Sequence, residues 1–383
     1  MDVVIAAGDA AWESAAIGEV EASSVIRLVR RCVDVADLLA TAETGRAAAA
    51  LVSVDLPGID VDAVHRLERS GVRVAAVAGD AARCEALGIV RQLRLGSLDE
   101  IAREAPTTAR PEPGRVAPVV AVWGPNGAPG RSTVALGLAS AAAARGVDTV
   151  LVDADTHGGA QGQLLSVLDD VSGLVAACRA ANQGRGHEVA DHLLDIDPGL
   201  RLLSGLPRAD MWPQVRPGAL DVVLAQLRSH AGLVVVDCAF SLEPGGAPGG
   251  AGRNQTTLQV IEQADLAVVV GRPDPVGLAR LVRGLHELAE TAPGLDVLVA
   301  VNMVRTTLGW GERDIRAMIA RLAGLEPAAC LPFDQSGLDL AAVSGRTPRE
   351  AAPSSPFVAR VEVLAAHVLD RVSPPAMLAL SDR

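Results

Sequence analysis

"AVWGPNGAPGRSTVAL", residues 121–136, decides how the rest of the chain is read. A strand-like run, "VVAVW" at 119–123, meets a turn rich in Gly and Pro, and an Ala-rich helical pattern follows and ends at Gly146. In such a junction glycines let consecutive backbone N–H groups converge on phosphate oxygens, at a helix N-terminus whose dipole favours negative charge. Against the pattern G-x-x-x-x-G-K-[ST], Gly130 is the second glycine and Ser132 falls where a hydroxyl binds Mg²⁺. Arg131 stands in the lysine position and Pro125 in that of the first glycine. By pattern alone the match is partial, and a bare Gly-rich turn is the competing reading.

The surroundings favour nucleotide binding. Ligands of α/β sheets sit beyond the C-terminal ends of strands. "DTVLVDAD" (148–155) ends in Asp153 and Asp155, and "GLVVVD" (232–237) delivers Asp237 after four apolar residues, as a Walker B strand does. A hydroxyl from Ser132 with carboxylates from neighbouring strand ends is the oxygen-rich set Mg²⁺ prefers, waters retained. Further strands are expected at 200–205, 266–271, 296–302 and 328–333, and a loop in the Gly/Pro-rich stretch 243–255.

Toward the N-terminus, short apolar runs at 2–7, 24–29, 49–54, 72–78 and 90–95 alternate with amphipathic segments. This is the signature of a doubly wound parallel sheet of flavodoxin-like type. Residues 105–117, Pro- and Arg-rich without periodicity, read as a linker. The expected organisation is therefore a first domain over 1–104, a nucleotide-binding domain over 118–372 and a tail over 373–383.

Composition narrows the function. The chain has 383 residues and a net charge of −12, which argues against a surface built on clustered basic residues for nucleic-acid backbone, so DNA is not an expected partner. Aromatics are only 2% of residues, so the core must be built from small aliphatic side chains. The sequence contains no lysine, so Arg131 reflects a chain-wide bias as readily as a functional choice. Cys32, Cys84, Cys178, Cys238 and Cys330 are dispersed, without metal-ligand spacing, and read as buried thiols of a reducing cytoplasm. No apolar run is long enough to cross a membrane, so a cytoplasmic protein, at most peripheral to a membrane, is expected.

The segments "NGAPGRST", "DADTHGGAQGQLL", "VVVDCAF", "ADLAVVVGRPDPVGLARL", "VNMV" and "LPFDQSGLDLAAVSGRTP" come in the order and spacing of MinD/ParA-type P-loop ATPases with a deviant Walker A loop, which residues 118–372 resemble. Joined to a receiver-like first domain, the chain is most similar to the CpaE/TadZ branch, which serves Flp-type pilus assembly and polar localisation. Its "GAPGRST" wording resembles an actinobacterial offshoot of septum-site-determining and secretion-linked proteins. The resemblance implies ATP and Mg²⁺ as ligands and a homodimer when nucleotide is bound. It implies protein partners at a pole, septum or secretion and pilus machinery. It assigns the phosphate cradle to Asn126, Gly127, Ala128, Pro129, Gly130 and Arg131, Mg²⁺ to Ser132 and α-phosphate contact to Thr133. Water activation falls to Asp155, metal support to Asp153 and Asp237, and base contact to Asn302.

The departures matter for catalysis. The family's signature lysine, which reaches the partner's nucleotide across a dimer, falls on Asn126, and its second lysine on Arg131. Arg131 can supply charge to phosphates, although its planar fork places donors differently from an ammonium, and Asn126 supplies none. Phosphoryl transfer rests on positioning and charge stabilisation, and losing a transition-state cation costs about 10³-fold or more. The expectation is ATP binding with slow or absent hydrolysis. Two other readings stay open: a nucleotide-free scaffold that keeps the fold for protein contacts, and a ParA-like DNA-partitioning ATPase.

The first domain resembles a response-regulator receiver, with Asp55 in the phosphoacceptor position. It lacks the second acid after strand one, where only Asp9 stands, and the lysine after strand five. A phosphorylation-independent pseudo-receiver used for protein docking is expected. Four other features are read plainly: His157 as an exposed loop histidine, Trp123 as strand packing, Arg280 and Arg283 as a solvated helix face, and the C-terminal helix as lacking a lipid-binding basic face.

Overall fold

In the computed structural model the described residues are 1–103, 116–127, 129–167, 171–245 and 252–372. Ala128, nearly all of the expected linker, the tail 373–383 and the centre of the 243–255 stretch lie outside them. The chain divides into two compact units, and residues 177–189 and 216–223 group with the N-terminal one.

The N-terminal sheet has β1 (Asp2–Ala6), β2 (Arg27–Arg31), β3 (Ala49–Val52), β4 (Arg73–Val77) and β5 (Arg91–Leu93). All pair in parallel in the order β2-β1-β3-β4-β5, the doubly wound flavodoxin-like order. All four residues of β3 are buried, because the sheet's two faces are both covered, by Leu38, Val64 and Leu67 on one side and by Ala16, Val20 and Ile101 on the other. The edge strand β2 lies three residues later than the apolar run 24–29 that announced it, since Arg27, Arg30 and Arg31 face solvent along an edge.

The second sheet has eight strands in the order β13-β12-β11-β6-β10-β7-β9-β8. They are β6 (Val119–Trp123), β7 (Thr149–Ala154), β8 (Leu194–Asp197), β9 (Leu200–Leu203), β10 (Leu233–Cys238), β11 (Leu266–Gly271), β12 (Asp296–Val304) and β13 (Pro327–Pro332). Only β8 is antiparallel, paired with β9 at the edge. Every residue of β6, β7, β10 and β11 is buried, as a parallel sheet with helices on both faces demands.

The helix Arg131–Ala143 packs under this sheet and against the helix Pro356–Val372. A Cβ on Gly137 would stand 3.1 Å from Phe357 Cε1, so the missing side chain admits one of the few aromatics of the chain between the two helices. Phe357, Val358, Val361, Leu364, Ala365 and Val368 form the buried face of that last helix, which spends its apolar side on the core. All five cysteines are buried.

Strand order places the chemistry. β10 lies between β6 and β7, so the chain leaving β6 through the Gly-rich loop returns on the far side of β10. The loop, Asp237 and Asp153 thereby converge at the C-terminal ends of three adjacent central strands, and the register makes Asp237 the direct neighbour of both Val122 and Asp153.

Candidate functional site

The helix Arg131–Ala143 is capped by Gly130 in a left-handed conformation, φ 86°. Its first ladder bond runs from Val134 N–H to Gly130 O, 3.0 Å, which leaves the N–H groups of Arg131, Ser132 and Thr133 outside the ladder. Ser132 and Thr133 are half-buried in this first turn, Asn126 is exposed and Pro129 is buried. Gly127 also has a positive φ, 119°. The loop is braced from β12, where Asn302 Nδ2 donates to Pro129 O at 2.8 Å, and a Cβ on Gly130 would fall on that amide. The next residue, Met303, takes a left-handed φ of 60°, a conformation that costs a non-glycine residue about 1 kcal/mol or more and that clusters at functional sites.

Asp237 is fully buried and Asp153 is 2% exposed. Asp153 accepts from the N–H of Gln161 (3.0 Å) and of Asp155 (3.3 Å), and its carboxylate fits between Gly159 and Gly205, where added Cβ atoms would stand 2.6 Å from it. Burial pushes both acids up; the Asp237 charge adds to the rise at Asp153, while hydrogen bonding from Ser132 and Gln161 works against it at Asp237. Asp237 Oδ2 accepts from Gln161 Nε2 at 2.8 Å, and its Oδ1 has no partner among the described residues.

A buried carboxylate oxygen without a donor, beside a second buried carboxylate and a serine hydroxyl, is an arrangement that a cation would satisfy. Among the described residues no group of three or more His, Cys, Asp or Glu side chains could hold a metal by itself. That donor set suits Mg²⁺, which takes much of its octahedron from phosphate and water.

Arg131 does not point into an open cradle. Its Nε donates to Cys238 O (3.1 Å), its Nη1 to Gly124 O (3.2 Å), and its Nη2 lies 3.5 Å from Asp155 Oδ2. Asp155 Oδ1 accepts from the N–H groups of His157 (2.8 Å) and Gly158 (3.1 Å), so the carboxylate also shapes the turn after β7. Two residues read together from the sequence are thus an ion pair between a half-buried guanidinium and a buried carboxylate.

Gln161 was not among the residues singled out from the sequence. It is fully buried and joins two strand ends to the first turn of the helix Arg131–Ala143: Nε2 donates to Asp237 and to Ser132 O (3.0 Å), while its backbone N–H serves Asp153. A glutamine two residues past the glycines of "DADTHGGAQG" was the available signal, since full burial of Gln demands partners.

His157 departs from the exposed-loop reading. It is half-buried, with Nε2 3.0 Å from Asn254 Oδ1 and its ring 5.0 Å from that of Phe240, because the turn shaped by Asp155 presses it against the segment after β10. That segment is joined to the turn a second time, through Thr156 Oγ1 to Arg253 O and the Arg253 guanidinium to Thr156 O. Trp123 is fully buried at the end of β6, as strand packing requires.

Two cavities flank the loop. One of about 220 Å³ lies against Asn126, Gly127 and Pro129, with Arg272 and Arg280 opposite. The other, about 560 Å³, runs from Asn126 to Phe240 and Glu243 along the helix Pro275–Thr291.

No protein-family model and no curated protein sequence matches the chain. Solved structures do. The cell division ATPase MinD of Pyrococcus furiosus superposes with a TM-score of 0.54 at 19% identity, over 66% of this chain and 99% of that one. The septum site-determining protein MinD of Pyrococcus horikoshii, complexed with Mg-ADP, gives 0.54 at 18% over 66% and 96%. A ParA family ATPase from Chlorobium tepidum gives 0.57 at 18% over 66% and 99%. The chain carries the fold of MinD- and ParA-type P-loop ATPases over about two thirds of its length.

Proposed function

We propose that the chain binds Mg-ATP at the loop 124–133 and acts as a MinD/ParA-like localisation factor whose hydrolysis is slow or absent. The observation that carries this reading is the buried pair Asp153 and Asp237, set side by side by strand register beneath Ser132, with one carboxylate oxygen unpartnered. The N–H groups of Arg131, Ser132 and Thr133 would hold phosphate oxygens, and Ser132 Oγ with Asp237 would face the Mg²⁺. The metal would neutralise phosphate charge. Asn302 keeps its carbonyl oxygen for a base while its amide braces Pro129.

Arg131 enters this scheme already engaged. Its guanidinium must exchange Asp155 for phosphate, and Asp155, the residue for orienting water, is neutralised by the same pair. With Asn126 uncharged, the loop has the parts for binding and lacks a free cation of its own for phosphoryl transfer. The role we infer is that of the CpaE/TadZ or septum-site branch: a homodimer when nucleotide is bound, with the N-terminal sheet serving as a pseudo-receiver that docks protein partners. Among the described residues no helix is long and apolar enough to cross a membrane.

The Arg131–Asp155 pair also favours a second reading, a scaffold whose loop is closed by its own charges. Calorimetric titration with Mg-ATP separates the two. Micromolar binding that is abolished in Asp237→Ala supports the nucleotide site, whereas no binding below millimolar supports the scaffold.

A further inference from the structure

We propose that Arg280 supplies the free cation that the loop lacks at Asn126, placing its guanidinium on the bound phosphate tail from the helix Pro275–Thr291. The proposal rests on the nucleotide reading above and concerns the same site.

The helix is set firmly. Asp274 caps it, accepting from Gly277 N–H at 3.0 Å, and Pro275 opens it. Gly284 lies against the strand end, where a Cβ would stand 3.0 Å from the Trp123 ring and 3.3 Å from Pro125 Cβ. Arg280 is one turn earlier on the same face, so the contact at Gly284 aims it over the loop. A Cβ on Gly127 would fall on Arg280 Nη1: the guanidinium overlies the Gly127 backbone, and a side chain there would evict it.

Partnership distinguishes this arginine from Arg131 and Arg272, and position from Arg283, which is also exposed but lines only the larger cavity. Arg131 is spent on two carbonyls and Asp155, and Arg272 on Asp274 at 3.0 Å. Arg280 is exposed and makes no hydrogen bond or ion pair with a described residue. It lines both cavities that flank Asn126. A cation held over phosphate-binding backbone, without a carboxylate of its own, is set to take an anion there, and its long stem reaches across where Asn126 is too short. Sequence reading leaves it on a solvated helix face because the helical spacing 280/284 and the missing side chain at Gly127 are meaningful only once the two segments are adjacent.

The test is calorimetric titration of the full chain with Mg-ATP, with melting curves to establish folding. Arg280→Gln keeps the stem and removes the charge; it should weaken Mg-ATP at least fivefold without moving the melting temperature of the nucleotide-free protein, and Arg280→Lys should recover most of that loss. A smaller loss in Arg280→Gln, or a lysine variant as weak as the glutamine one, overturns the assignment while leaving the nucleotide site intact. Absence of binding by the unmodified chain overturns the nucleotide reading and this proposal together.

Discussion

Replacing Gln161 by alanine tests the architecture of the site independently of any ligand. The substitution removes a hydrogen bond from Nε2 to the Asp237 carboxylate, worth about 2 kcal/mol because the acceptor is charged when ionised, and one to Ser132 O, worth about 1 kcal/mol. It also removes the Oε1 atom, which is buried and unpartnered and whose loss returns about 1 kcal/mol. The backbone bond from Gln161 N–H to Asp153 survives. A net loss of about 2 kcal/mol follows, read as a lower urea midpoint at unchanged slope for the transition of the larger unit. Gln161→Glu should be worse at alkaline pH than at acid pH, since it adds a third carboxylate to a buried pair. A loss below about 0.5 kcal/mol in Gln161→Ala, or a pH-independent loss in Gln161→Glu, would refute the view that this amide holds the two acids in place.

The other expectations concern charge and space. Both Asp153 and Asp237 hold protons more tightly in the folded chain than in the unfolded one, so the nucleotide-free protein should lose thermal stability as pH rises from the ordinary carboxylate range through their raised values; melting temperatures that climb over that interval would contradict the shifts. Gly205→Ala puts a Cβ 2.6 Å from the Asp153 carboxyl carbon and should cost about 1–3 kcal/mol, whereas Gly158→Ala, with open space around it, should be neutral in the same melts. The double variant Asn126→Lys with Arg131→Lys should raise phosphate release well above the unmodified chain in a steady-state assay, and an unchanged rate would show that the missing lysines do not limit turnover.

What the sequence disclosed, and what it withheld, follows from where information sits. β10 was legible because "GLVVVD" is wholly apolar up to its acid, and a strand buried on both faces must be so. β8, "LDID", was missed: it is a short antiparallel edge whose alternating acids resemble a loop. Asp153, Asp155 and Asp237 were visible as acids at strand ends, yet their division of labour was not. Asp153 is paired with Asp237 by a register between strands more than eighty residues apart, while Asp155 turns to Arg131. Gln161 escaped because it acts on segments remote in sequence, Arg280 is read from sequence only as part of a solvated helix face because its nearness to Gly127 is likewise remote, and His157 was misjudged because its partner Asn254 lies beyond an irregular stretch.

The ties between the turn after β7 and the segment after β10 make the pocket's access one-sided. Thr156, His157, Arg253 and Asn254 stitch that rim with hydrogen bonds that must break together before it can part. Among the described residues the opposite rim carries no such stitching: there Asn126 is exposed and Arg280 overlies Gly127 beside two cavities. On the proposed nucleotide reading, the ligand would arrive and depart past Arg280, and that side chain would set residence time as well as supply charge.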